Sequence, residues 1–154
     1  MEFYKKGVLL EDVNSIYHLA NMYLKGLGTV KDKQKAIELL KLGVEKRSVV
    51  CLSLLGETYY QDGEYAEAVK LLSPAAEAGE PRALYLMGVA HGTEIPDQTT
   101  FTYDLNKANE YYQKAALAGS HEAMVFFFFF FFFFLIKIFF FFFFFYFFFF
   151  FFFF

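Results

Sequence analysis

The sequence predicts an all-α fold, a right-handed α-solenoid of antiparallel helix pairs, and three observations carry that prediction. A pattern of a large apolar residue, a small residue and then a ring three positions later returns as Leu19-Ala20-x-x-Tyr23, Leu55-Gly56-x-x-Tyr59 and Met87-Gly88-x-x-His91. Each copy is followed by a second pattern: Asp32-x-x-Lys35-Ala36, Glu64-x-x-Glu67-Ala68 and Asp104-x-x-Lys107-Ala108. The steps are 36 and 32 residues from Ala20 to Gly56 to Gly88, and 32 and 40 from Ala36 to Ala68 to Ala108. Periods of this size mark helix-turn-helix units that bury a core only by stacking. The unequal steps fall in the turn inside each unit, where insertions are tolerated.

Apolar spacing and end signals place helices over roughly 2–10, 14–25, 33–46, 49–61, 65–78, 82–91, 105–118 and from 121 onward. The segment Phe3-Tyr4-Lys5-Lys6-Gly7-Val8 aligns with Tyr111-Tyr112-Gln113-Lys114-Ala115-Ala116, so residues 1–12 read as the remnant of a preceding repeat. Repeat one then spans 13–47, repeat two 48–79 and repeat three 80–119, with 120–125 opening a truncated fourth. Asp32 and Asp104 stand at helix N-caps, where a carboxylate accepts from the free amides of the first turn. Pro81 suits the first turn of a helix. Gly79 and Gly119 follow Ala-rich helix ends and suit a left-handed stop. Arg47 occupies that site in repeat one, so its stop is expected to differ. Cys51 aligns with Ala83 and Ala123 at a small buried site.

Small residues explain how the helices approach. Gly inside a helix costs about 1 kcal/mol relative to Ala. It recurs at one register, as Gly56 and Gly88. Close packing against a second helix is the reason to keep it there. Ala36, Ala68 and Ala108 hold the matching site on the second helix of each unit.

The order Leu19-Ala20-x-x-Tyr23-x-x-Gly26-x-Gly28-x-Val30-x-Asp32-x-x-Lys35-Ala36 resembles the Sel-one-like repeat, a relative of the tetratricopeptide repeat. So does the run from Tyr111 through Ala118-Gly119-Ser120-His121-Glu122-Ala123. The resemblance covers most of residues 1–125. Repeat two departs from the pattern with Gly63 alone in its turn, and repeat three with His91 in place of Tyr. The resemblance implies a non-enzymatic scaffold or adaptor whose partner is a protein or peptide. Members serve membrane-associated degradation complexes of the endoplasmic reticulum, and others cytosolic signalling.

In tetratricopeptide relatives the first helices line the inner face. Their groove positions map onto Asn14, Tyr17, Asn21 and Lys25, then Ser53, Glu57, Tyr60 and Gln61, then Arg82, Tyr85 and Val89. The resemblance makes these the expected protein-binding residues: Tyr supplies rigid area and the polar groups set orientation. The longest turn, 92–103, adds Phe101 and Tyr103, either as contacts or as a cover over the helix pair.

Composition excludes more than it assigns. Without Lys137, residues 1–125 hold 13 basic and 17 acidic residues, a net charge of −4 that leaves no basic patch for nucleic acid. The start, Met1-Glu2-Phe3-Tyr4-Lys5-Lys6, lacks the apolar core of a signal peptide, so the expected location is cytoplasmic. The single Cys51 forms no disulfide within the chain. His18, His91 and His121 match no metal-ligand spacing, and His91, at the Tyr register, is expected to be a packed ring. Gly26-Leu27-Gly28 lies between helices and is turn chemistry, not a phosphate loop. The sequence nominates no cofactor, metal ligand or catalytic set.

Residues 126–154 are Phe except for Leu135, Ile136, Lys137, Ile138 and Tyr146. Of 26 Phe, only Phe3 and Phe101 lie outside this tail. Three readings apply. About 20 apolar residues cross a bilayer, so the tail is long enough for an endoplasmic-reticulum membrane span, with Lys137 at a costly depth. A run with almost no charge and no Pro also reads as an aggregation-prone, low-complexity segment. The favoured reading is an artefact, a thymine-rich noncoding stretch translated in frame. Every exception is encodable by A and T alone, and the run interrupts a helical unit.

Overall fold

The computed structural model describes residues 1–94 and 102–125, with Phe128, Phe132 and Ile136 beyond them. Its helices are α1 (Glu2–Leu9), α2 (Val13–Lys25), α3 (Lys33–Glu45), α4 (Val49–Gln61), α5 (Tyr65–Glu77), α6 (Pro81–Gly92) and α7 (Leu105–Leu117). Helical backbone resumes over 121–125, and no strand occurs among the described residues. The ends of α1 to α7 lie within one residue of those the sequence predicts. The tail readings and Phe101 fall outside the described residues.

Each helix packs on the next, giving the pairs α2–α3, α4–α5 and α6–α7. In addition α2 touches α4, and α4 touches α6, so the first helices of the pairs form one continuous layer. Two cores result. Ile16, Ala20, Ala36, Leu40, Cys51, Leu54 and Leu55 form one between α2, α3 and α4. Ala68, Leu72, Ala75, Ala83, Leu84, Met87, Ala90 and Ala115 anchor the other between α5, α6 and α7. Tyr59 packs against both and joins them.

Within a pair, the small residue of the first pattern is where the two helices cross. A Cβ on Gly56 would lie 2.8 Å from Leu72 Cγ, and one on Gly88 would lie 2.8 Å from the Tyr112 ring. Ala20, the equivalent in the first pair, is fully buried. A second feature recurs in all three pairs. The amide of the residue capping the second helix donates to the carbonyl of the ring residue: Asp32 to Tyr23 at 3.0 Å, Glu64 to Tyr59 at 3.0 Å and Asp104 to His91 at 2.9 Å. Turn length therefore varies between units while the two helices enter and leave the turn at one fixed bond.

Between pairs, a nine-residue junction repeats four times. A residue near the end of one helix gives its carbonyl to the amide five positions on: Gly7 to Asp12 at 3.0 Å, Gly43 to Ser48 at 3.0 Å, Ala75 to Glu80 at 3.0 Å and Ala115 to Ser120 at 2.8 Å. The acceptor side chain of that fifth residue then caps the next helix. Asp12 accepts from Ser15 N at 2.8 Å, Ser48 from Cys51 N at 3.3 Å, Glu80 from Ala83 N at 2.6 Å and Ser120 from Ala123 N at 3.3 Å. The capped residue packs back on the first. A Cβ on Gly7 would run into Ser15 Oγ, and one on Gly43 into Cys51 Sγ. Where the first residue is Ala, the partner is Ala as well, and Ala75, Ala83, Ala115 and Ala123 have no exposed surface.

One expectation is corrected here. The stop after α3 does not differ from the others. Arg47 adopts φ 62°, beside Gly79 at 80° and Gly119 at 95°, and Glu11 does the same at 58°. Closing the carbonyl-to-amide bond requires the left-handed turn whatever residue is there, so the tertiary junction overrides the preference of Arg for negative φ. A non-Gly residue in this region costs about 1–2 kcal/mol. Part of that is offset by the greater chain entropy Gly loses on folding.

Two stability predictions follow from these contacts. Gly56→Leu forces bulk against Leu72 and is expected to destabilise by about 1–3 kcal/mol in urea denaturation. A melt unchanged by it would place the crossing on another face. Arg47→Gly relieves the left-handed strain and is expected to stabilise by about 0.5–1 kcal/mol; a loss of stability would mean that the Arg47 side chain contributes more than its backbone costs.

Candidate functional site

The continuous layer of first helices carries two clefts that share Arg82. The larger, about 410 Å³, lies where α2, α4 and the start of α6 meet. Asn21 and Lys25 enter it from α2, and Glu57 and Gln61 from α4. Each pair is four residues apart and so lies on one helix face. Left-handed Gly26 and Gly28 fold the turn after α2, and Lys31 and Lys33 join the rim. The smaller cleft, about 290 Å³, brings Tyr17 and Arg82 against the 119–122 segment.

Glu57 is the hub of this face. Its carboxylate accepts from Arg82 Nε and from Gln61 Nε2, the latter at 3.2 Å. Only 14% of the Glu57 side chain and 35% of the Arg82 side chain is exposed. The hydrogen bond that Arg82 donates to Glu57 raises the Arg82 pKa; burial opposes this, and the charge of Glu57, with Tyr17 and Glu122 behind it, adds to the rise. Arg82 is therefore a permanent cation held across two repeats. Lys33 pairs with Asp62 at the end of α4. Lys25 and Lys31 have no carboxylate partner among the described residues.

Residues 13–47, 50–80 and 81–120 each match the Sel1 repeat. The chain belongs to the Sel1 repeat family. Among solved structures it is similar to a protective antigen present in uropathogenic Escherichia coli strains displaying an SLR fold, at 26% identity and a TM-score of 0.64. That match covers 80% of this chain and 26% of the antigen. A Sel1 repeat protein from Oxalobacter formigenes matches at 26% identity and a TM-score of 0.65, over 81% of this chain and 51% of that protein. The chain thus spans about a quarter of one relative and half of the other.

Within this Sel1 repeat protein the structure sorts the expected contact residues. Asn21, Lys25, Glu57, Gln61 and Arg82 share the larger cleft, and Tyr17 lines the smaller one. Asn14 is exposed at the start of α2, and Val89 is half-buried; neither borders a cleft. One residue is corrected. Ser53 has no exposed surface and its Oγ has no hydrogen-bond partner. It shares a register with Tyr17 and Tyr85, but its short side chain ends below the surface, so it cannot meet a partner. Tyr60 and Tyr85 turn their rings to Tyr65 at 5.4 Å and Tyr112 at 5.9 Å and pack on the second core. Both are half-buried, as Tyr17 is, and neither lines these two clefts.

Sequence reasoning missed Lys31, Lys33 and Asp62, because groove positions were read from helices and these lie at helix ends and turns. The signal that points to them is the Gly26-x-Gly28 turn, which folds the chain back beside Lys25. His91 is a packed ring, stacked on Tyr111 at 5.7 Å with Nδ1 2.9 Å from the Thr102 carbonyl. Tyr103 is about half exposed. Burial pushes the Cys51 thiol above its usual pKa, against a smaller opposing pull from its hydrogen bond with Ser48, so it is a poor nucleophile. Among the described residues no three His, Cys, Asp or Glu side chains gather as a metal site, and no helix is long and apolar enough to cross a membrane.

Removing Glu57 leaves a half-buried guanidinium without its acceptor. Glu57→Ala is expected to cost about 1–2 kcal/mol, and a double-mutant cycle with Arg82→Ala to show coupling of about 1 kcal/mol. Zero coupling in urea denaturation would show that the pair does not tie α4 to α6.

Proposed function

We propose that this chain is a non-enzymatic interaction scaffold that holds a protein or peptide partner on the layer of first helices. The observation that carries this reading is the larger cleft. Three successive first helices contribute Asn21, Lys25, Glu57, Gln61 and Arg82 to one surface, and only the Glu57–Arg82 pair among them also ties neighbouring helices together. A buried core needs apolar residues there, and a solvated face needs no cleft. The Arg82–Glu57 pair holds the surface rigid, which lowers the ordering cost of binding. The scaffold would work in the cytoplasm.

A second reading rests on the composition of residues 126–154. A run of this length and apolarity meets the requirement for a span, which would make the chain a membrane-anchored adaptor of the endoplasmic-reticulum quality-control type. Alkaline extraction separates the two: protein that stays in the membrane pellet supports the anchor, and protein released by carbonate removes it.

The scaffold reading predicts that Tyr17→Ala, Asn21→Ala and Gln61→Ala together abolish capture of partners by the full chain. Asn21 and Gln61 are half-buried or exposed polar side chains whose loss should change stability little, within about 0.5 kcal/mol each, whereas Tyr17 also packs on the first core, so the triple variant is compared with Tyr17→Ala alone. Partners that survive the triple change with undiminished yield would show that the first-helix face is not the binding surface. Tyr60 and Tyr85 are left out of this test, because neither lines the two clefts.

A further inference from the structure

We propose that the larger cleft is a carboxylate-binding site for an acidic peptide. This deepens the scaffold reading and rests on it. The charge arrangement carries the inference. Lys25, Lys31, Lys33 and Arg82 line the cleft, against Glu57 and Asp62 alone. Both carboxylates are already engaged, Asp62 by Lys33 and Glu57 by Arg82 and Gln61. Lys25 and Lys31 are left without a carboxylate partner among the described residues. Asn21 stands one turn before Lys25 on the same face of α2 and also lines the cleft.

The cleft therefore presents two unpaired ammonium groups and an amide donor, and its acidic acceptors are in use. That is the donor set a carboxylate needs. It stands in a chain whose net charge is −3, so the positive field is local to the cleft. The same balance argues against a long polyanion. Nucleic acid needs a basic stripe that follows many phosphates, whereas here acidic residues outnumber basic ones outside the cleft. A peptide that offers one or two carboxylates to the cleft, and keeps the rest of its length on the neighbouring surface around Tyr17, fits the observed charges.

Fluorescence anisotropy with the full chain tests this. The probes are a labelled oligoglutamate with a free C-terminus, the same peptide amidated, and the amidated oligoglutamine. Both glutamate peptides should bind at least tenfold more tightly than oligoglutamine if side-chain carboxylates are read. Only the free-acid form should do so if the terminal carboxylate is read. Lys25→Glu with Lys31→Glu should reduce that affinity at least tenfold with an unchanged melt, since both lysines are exposed. Raising salt should weaken binding to the native chain and much less to the double variant. Oligoglutamate that binds no better than oligoglutamine overturns the proposal, as does an unchanged affinity after charge reversal. A single-stranded oligonucleotide that binds more tightly than either acidic peptide also overturns it. If the acidic peptides fail while the Tyr17, Asn21 and Gln61 triple change still abolishes partner capture, the carboxylate site is wrong and the scaffold reading stands.

Discussion

The junction between helix pairs is the constraint on which the rest of the molecule depends. In nine residues it closes one helix with a backbone bond, caps the next with the side chain of the same residue, and packs the two helices against each other at their smallest side chains. Gly43, Ser48 and Cys51 make one such unit, and Ala75, Glu80 and Ala83 another. Because bond, cap and contact share residues, none can shift without the others. The chain direction after every pair is thereby set, and with it the path of the solenoid.

The side chains at the junction are complementary in volume. Gly7 and Gly43 face Ser15 and Cys51, which are larger than Ala, while Ala75 and Ala115 sit in register with Ala83 and Ala123. The room between helices is kept nearly constant by trading a methyl from one side to the other. The same economy governs the crossing within a pair, where Gly56 admits Leu72 and Gly88 admits the ring of Tyr112. Interiors packed at crystal density leave no other way to hold helices at these distances.

The functional face is a consequence of that regular spacing. Stacking brings α2, α4 and α6 side by side, so residues 25 positions apart in sequence, Glu57 and Arg82, become hydrogen-bonded neighbours. The Gln61–Glu57–Arg82 chain then runs across repeat boundaries and fixes where the surface is neutralised. What remains charged is concentrated at Lys25 and Lys31. An ion-paired network on the first-helix face thus both links neighbouring helices and leaves a positive cleft beside it. Arg82 lines both clefts and has two carboxylates, Glu57 and Glu122, within its field.

By itself the sequence determined the helices, their order and their pairing, because recurring small residues, caps and a period of repeat size are local signals that stacking must obey. Asp32, Pro81 and Gly119 mark their helix ends without reference to anything distant. Gly56 and Gly88 likewise reveal a crossing, since Gly is kept in a helix only under steric demand. Tertiary structure decided three things. It placed Arg47 and Glu11 in left-handed turns that their own preferences oppose, because the junction bond outweighs the strain. It took Ser53 out of the groove, because burial depends on the size of neighbours and not on register alone. It assembled the charged cleft from α2, α4, α6 and a turn, and charge balance at a point in space is a sum over residues that no local pattern contains.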